Sequence, residues 1–202
     1  TNALLHYWQD DPGTDVVMLY LESFGNPQKF SRTARALSRC KPVVAVKVGG
    51  SPVDRWEEPE AWPPGATAAA LLEQTGVVRV ENLTQMFHTA SVLAHQPLPR
   101  GNRVTVVTNS WGPARLAVEA LRAFGLEPAA TVDLSNEAEP EHFTSALAEV
   151  YADDAVDAVL VIYAPALDPR YPRFAAAIND AASAPDAVTT VACLLGEHEA
   201  DL

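Results

Sequence analysis

The chain has 202 residues, 48% of them hydrophobic, which is enough to bury one or two compact cores and too apolar for a disordered segment. Its 14 basic and 26 acidic residues give a formal net charge of -12 at pH 7, with lysines and arginines that read as scattered, which argues against a nucleic-acid partner and suits at most one anionic ligand. Cys40 and Cys193 lie far apart in different elements, and no signal peptide or membrane-spanning apolar stretch is present, so the reading is a chain of the reducing cytoplasm with no membrane partner.

In chain order, TNALLHYWQ reads as the middle of a helix, so an N-terminal part is expected to be missing, and Asn2 to Gln9 forms a short amphipathic helix. Val16 to Leu21 reads as a strand covered on both faces. Glu22 then ends an apolar run where an ionised carboxylate is costly, so it either sits at the rim or has a job. A helix over Pro27 to Arg39 puts Phe30, Ala34 and Leu37 on one face, and Val43 to Lys47 is a second strand, completing a βαβ unit. After the loop GGSPVDRWEEPEAWPPG come a helix from Ala66 to Gln74, the short strand VVRV, and a helix with Leu83, Met86, Phe87 and Ala90 at helical spacing. HQPLPRGN, His95 to Asn102, has the punctuation of an interdomain linker.

Beyond it, RVTVVT is a strand, Pro113 to Phe124 a helix closed by Gly125, and Pro140 to Tyr151 a helix with Phe143, Ala146, Leu147 and Val150 on one face. AVLVIY (Ala158 to Tyr163) and TTVACLL (Thr189 to Leu195) are buried strands with a helix, Tyr171 to Ala182, between them. The predicted architecture is α/β, with two domains built on parallel sheets over residues 1–95 and 103–202.

In such sheets ligands meet the loops at the carboxyl ends of the strands. Glu22 to Pro27, Lys47 to Pro64 and NSWGP (Asn109 to Pro113) are those loops here. NSWGP opens a helix, leaving free backbone N–H groups and a positive dipole end for a phosphate. Asn109, Ser110 and Gly112 are therefore the candidate ligand residues, against the plainer reading that Gly112-Pro113 merely starts a helix. Lys47, at a strand end on the same predicted face, is either a solvated lysine or an anion contact. Ser51 and Ser110 have no nearby His and Asp to activate them, no metal-ligand spacing occurs, and Trp56 and Trp62 either form an interaction surface or pack on the sheet edge.

LYLESFGNPQKFSRTARALSRCKPVVAVKVGGS, GVVRVENLTQMF and QPLPRGNRVTVVTNSWGP together resemble the NDP-forming acyl-CoA synthetases, the superfamily of succinyl-CoA synthetase and ADP-forming acetyl-CoA synthetase. The match runs from about Asn2 to Leu126 and continues weakly through ATVDL and VDAVLVIYAP to CLLG. The same arrangement is similar to the synthetase-like region fused to a lysine acetyltransferase in some bacterial proteins. The resemblance implies two flavodoxin-like (Rossmann-like) domains, the first N-terminally incomplete. It also implies partners on either side: an N-terminal CoA-binding domain and, in some members, an ATP-grasp domain. It implies that Glu22 matches a carboxylate contacting the histidine that carries a phosphoryl group, and that NSWGP matches a helix start embracing that phosphohistidine.

The carrier histidine has no counterpart. The family places it in a Ser-Ser-His-Thr-Gly loop between the equivalents of Lys47 and Gly76, where this chain has SPVDRWEEPEAWPPGAT. His6, His88, His95, His142 and His198 lie in other elements, and Glu57, Glu58 and Glu60 add negative charge to the loop. Trp111 and Ala114 stand where the family's turn is glycine-rich. The expectation is a non-catalytic synthetase-like module that regulates or scaffolds a larger CoA-dependent enzyme such as a protein acetyltransferase, with Glu22 as a relic carboxylate. CoA or acyl-CoA binding is assigned to the full protein, this chain holds no firm cofactor of its own, and a shared cleft between the domains binds ATP and CoA weakly. The alternatives are an active acyl-CoA ligase fragment and a purely structural pair mediating homo-oligomerisation.

Overall fold

A computed structural model describes residues 2–48, 65–164 and 171–195. The chain divides into two compact units, Thr1–His95 and Gln96–Leu202. Ser51, Trp56, Glu57, Glu58, Glu60, Trp62 and His198 lie outside the described residues.

The first unit holds helices α1 (Asn2–Asp10), α2 (Pro27–Ser38), α3 (Gly65–Gln74) and α4 (Leu83–His95) around strands β1 (Val17–Leu21), β2 (Val43–Lys47) and β3 (Val78–Val80). The sheet order is β1-β2-β3 and both pairings are parallel, with Val17 opposite Val43 and Leu21 opposite Lys47. α2 forms because Phe30, Ala34 and Leu37 recur at i, i+4 and i+7 and are fully buried, while Asn26 caps it and Pro27 supplies a preset φ in its first turn. Leu5, Phe30, Leu37 and Leu72 carry α1, α2 and α3 onto one face of the sheet, against Leu19, Leu21, Val43 and Ala45. On the other face Met86 of α4 packs with Val44, Val46 and Val80.

That second cluster corrects the expectation for β1. Its burial alternates: Val17, Leu19 and Leu21 are buried, but Met18 and Tyr20 are 43% and 53% exposed. β1 is an edge strand, and α4 packs over its neighbours. A continuous apolar run therefore stands here for a half-covered strand, because coverage depends on where a distant helix lands.

In the second unit β4 (Arg103–Thr108), β5 (Glu127–Asp133), β6 (Ala158–Tyr163) and β7 (Thr189–Leu194) form a parallel sheet of order β5-β4-β6-β7. α5 (Trp111–Ala123) covers one face through Ala114, which packs with Val106 and Ile162. α6 (Pro140–Tyr151) and α7 (Tyr171–Ala182) cover the other, where Phe174 stacks on Tyr163 at 4.3 Å and Phe143 meets both rings edge-on. The sequence marks no strand over 127–133. β5 forms there as an edge, and its Pro-Ala-Ala run and mostly exposed side chains remove the apolar pattern that marks a strand.

Both units close helices with a left-handed glycine. Gly76 (φ 73°) follows α3 and Gly125 (φ 76°) follows α5; in each case the glycine N–H and the next N–H return to the last turn, on Glu73 and Leu72 and on Arg122 and Leu121 respectively. The stretch read as a linker is tied down at its start. His95 is the last residue of α4, and Gln96 and Pro97 accept hydrogen bonds from Thr190 N–H (3.0 Å) and Thr189 Oγ1 (2.5 Å) at the head of β7.

Candidate functional site

The carboxyl edge of the first sheet gathers Glu22, Lys47 and the starts of α2 and α4. Leu21 and Lys47 are register partners and Val48 N–H donates to Leu21 O at 2.9 Å, so Glu22 and Lys47 end neighbouring strands. Glu22 is exposed, one residue beyond β1: it sits at the rim. Lys47 is half-buried and its Nζ turns back to donate to the carbonyl of Val48.

The two helix starts above this edge spend amides on their own caps. At α2, Pro27 has no N–H, and the Lys29 amide donates to Asn26 Oδ1 at 2.9 Å, leaving Gln28 as the first-turn donor. At α4 the Gln85 amide donates to Asn82 Oδ1 at 2.8 Å, while the Gln85 side chain accepts from Glu81 N–H at 2.9 Å. A helix N-terminus holds a phosphate by pointing several free N–H groups at it, and internal capping removes that capacity one donor at a time.

In the second unit the chain runs from β4 outward to β5 on one side and to β6 on the other, so the crevice where a ligand would enter lies between the carboxyl ends of β4 and β6. Asn109 stands in it. Its side chain is 5% exposed, Nδ2 donates to Ala164 O at 3.0 Å, and Oδ1 accepts from Ala164 N–H at 2.8 Å. The predicted ligand residue is thus a clamp that joins the two strand ends and uses both halves of its carboxamide to do so. Ser110 follows in extended conformation as the N-cap of α5, but its hydroxyl makes no capping bond; instead Ser110 N–H donates to Thr108 Oγ1 at 3.0 Å and the Thr108 hydroxyl donates to Ser110 O at 3.1 Å.

α5 begins at Trp111, two residues before the expected Pro113. Gly112 therefore occupies its second position and Pro113 its third, where the ring removes another amide. Trp111 and Gly112 supply the N–H groups left without an intrahelical partner. No protein atom lies within 4 Å of a Cβ built on Gly112, so packing within the protein does not require the glycine. Ala114 does not intrude on the turn as the sequence suggested; it is 1% exposed and faces the sheet. Thr108 went unnoticed, since a threonine at a strand end carries no distinguishing sequence signal.

The described histidines have structural places. His142 Nδ1 accepts from Glu139 N–H at 2.9 Å as the return half of a capping box, His95 Nδ1 lies 2.9 Å from Ser91 O, and His6 and His88 are exposed on α1 and α4. Among the described residues no group of His, Cys, Asp and Glu could hold a metal ion, and no helix is long and apolar enough to cross a membrane. The basic residues are less scattered than their sequence positions suggest: Arg32, Arg35 and Arg39 line one groove beside α2.

Residues 1–93 match the succinyl-CoA ligase like flavodoxin domain. Among curated proteins, the alpha subunit of acetate–CoA ligase [ADP-forming] I from Pyrococcus furiosus is 26% identical over 195 aligned residues, covering 83% of this chain and 42% of that one. The 4-hydroxybutyrate–CoA ligase [ADP-forming] of Nitrosopumilus maritimus is 31% identical over 124 residues, 53% of this chain and 16% of its own. The chain thus spans less than half the length of these relatives. Among solved structures, the apo dinucleotide forming acetyl-coenzyme A synthetase 1 of Ca. Korarchaeum cryptofilum superposes over 98% of this chain and 48% of its own with a TM-score of 0.87 at 22% identity, which establishes the shared fold. Residues 1–93 thus form a succinyl-CoA ligase-like flavodoxin domain, and the curated relatives of the chain are ADP-forming CoA ligases.

Proposed function

We propose that this region is non-catalytic and serves as a regulatory or scaffolding part of a larger CoA-dependent enzyme, such as a protein acetyltransferase. The observation that carries the reading is the absence of any histidine from residue 48 to residue 76, the interval in which the family's phosphoryl carrier stands. Covalent phosphoryl transfer needs a specific nucleophile, and among the described residues no serine hydroxyl is hydrogen-bonded to a histidine or carboxylate that would activate it. The capped starts of α2 and α4 and the Asn109 clamp support the same reading, because each removes a donor that a phosphate would use.

Under this proposal CoA or acyl-CoA is handled by an N-terminal domain of the full protein, and Glu22 and Lys47 are remnants of a phosphate-handling edge. The exposed free thiols of Cys40 and Cys193 fit a reducing, cytoplasmic setting. The competing reading, a working ligase fragment, draws on the names of the relatives. Incubation of the full protein with ATP, CoA and acetate decides between them. No acyl-CoA above the protein-free rate is expected, and production proportional to protein concentration would overturn the proposal.

A further inference from the structure

Between residues 23 and 53 the chain carries six basic residues, Lys29, Arg32, Arg35, Arg39, Lys41 and Lys47, and no acidic one, whereas the remainder carries 8 basic and 26 acidic residues. Folding sharpens this asymmetry. Lys41 turns inward to the carbonyl of Asp11 and Lys47 to that of Val48. Arg32, Arg35 and Arg39 instead repeat at i, i+3 and i+7 along α2 and its C-cap, all exposed, and none of their guanidinium groups has an ion-pair or hydrogen-bond partner among the described residues.

The three guanidinium groups line an open groove of about 580 Å³ beside α2 and α3, together with Gln28 and Ser31; Pro27, Ala36 and Leu71 provide apolar surface, and among the described residues no acidic or aromatic one lines it. From Arg32 to Arg39 the helix rises about 10 Å. Three unpaired guanidinium forks in a strongly acidic protein repel one another unless an anion joins them, and their geometry suits carboxylates or phosphates in bidentate pairs.

We propose that this groove docks an acidic amphipathic helix of a partner protein, with carboxylates at i, i+3 and i+7 meeting Arg32, Arg35 and Arg39 and an aliphatic side chain against Leu71 and Ala36. The spacing is that of one helix face, so a second helix laid along α2 presents its charges in step. The apolar floor needs a hydrophobic side chain that a phosphodiester backbone lacks, and with no aromatic residue among its described lining the groove offers no base a stacking platform. A nucleic acid would also extend its phosphates past the groove onto the acidic remainder of the protein, whereas a helical segment bearing three carboxylates ends with the arginines.

Fluorescence anisotropy of the whole chain with a labelled synthetic helix, its glutamates at i, i+3 and i+7 beside a leucine stripe, tests the assignment. Saturable binding that weakens with added salt is expected, with a loss of about tenfold in the combined R32Q, R35Q and R39Q variant and about twofold in Arg35→Gln alone. Arg173→Gln, at an exposed side chain of α7, should bind like the parent, and each variant should keep the parent's circular dichroism and Tm. Absence of binding, arginine variants that bind as tightly as the parent, or a random-sequence DNA duplex that binds more tightly than the peptide would each overturn the proposal.

Discussion

The carboxamide of Asn109 and the peptide of Ala164 exchange two hydrogen bonds, of 3.0 and 2.8 Å, across the crevice between β4 and β6. A position that sequence assigns to a ligand is therefore committed to the protein's own backbone. Truncation leaves a polar N–H and carbonyl at Ala164 without their partner, so Asn109→Ala is expected to lower stability by about 2 kcal/mol in urea denaturation. Ser110→Ala, which removes a hydroxyl that makes no capping bond, should stay within about 0.5 kcal/mol of the parent. Equal, negligible effects at both positions would show that the clamp does not hold in solution.

At the opposite edge of that sheet Asp157 pairs with Arg103 (Nε to Oδ2, 2.8 Å) and also accepts the Arg103 amide, while Gly101 leaves room for it; a Cβ there would come within 2.5 Å of Oδ2. The hydrogen bonds from Arg103 hold the Asp157 carboxyl down at about 2, from an ordinary value of 3.8. Because the folded value is the lower one, the stabilisation is complete above 3.8 and disappears as pH falls through that value toward 2. The stability advantage of the parent over Asp157→Asn, measured by denaturant titration at a series of pH values, should shrink across this window. An advantage independent of pH would contradict the pairing.

Glu22 stands exposed at the rim, and a rim carboxylate contributes little to stability. Glu22→Gln should shift stability by less than about 0.5 kcal/mol. Asn26→Ala, which removes the acceptor for Lys29 N–H, should lower it by about 1 kcal/mol. A thermal melt that ranks Glu22→Gln as the more damaging change would make Glu22 a structural acceptor and end the relic reading.

The helices were legible because local chemistry decides them: Phe30, Ala34 and Leu37 repeat at helical spacing, and Gly125 marks where α5 stops. The basic groove was partly legible, since Arg32, Arg35 and Arg39 have the spacing of one helix face, but their positions look scattered until read on a helix. What escaped was set by distant partners. Asn109 meets a residue 55 positions away, Met18 and Tyr20 stay exposed because α4 packs mainly on β2, and β5 is held by its pairing with β4 rather than by its own sequence.

The two C-terminal glycines separate backbone strain from crowding. Gly125 has nothing within 4 Å of an added Cβ, so Gly125→Ala should carry only the left-handed penalty, about 1 kcal/mol. At Gly76 the added Cβ would also come within 3.0 Å of Ser38 Oγ, so Gly76→Ala should be the more destabilising in paired denaturation curves. The reverse order would show that the loop after α3 relaxes more readily than its hydrogen bonds imply.

With capped helix starts above the first sheet and a closed crevice in the second, isothermal titration of the chain with CoA, acetyl-CoA and ATP should give affinities weaker than micromolar, and micromolar binding of any of them would contradict the proposed loss of the phosphate cradle.

The most direct measurement is phosphoryl transfer to the protein itself. After incubation with radiolabelled ATP or acetyl phosphate, a non-catalytic region should carry no acid-labile, base-stable label. Stoichiometric label with that stability, mapped to any histidine of the chain, would show that the phosphoryl relay survives on another residue and would contradict the account.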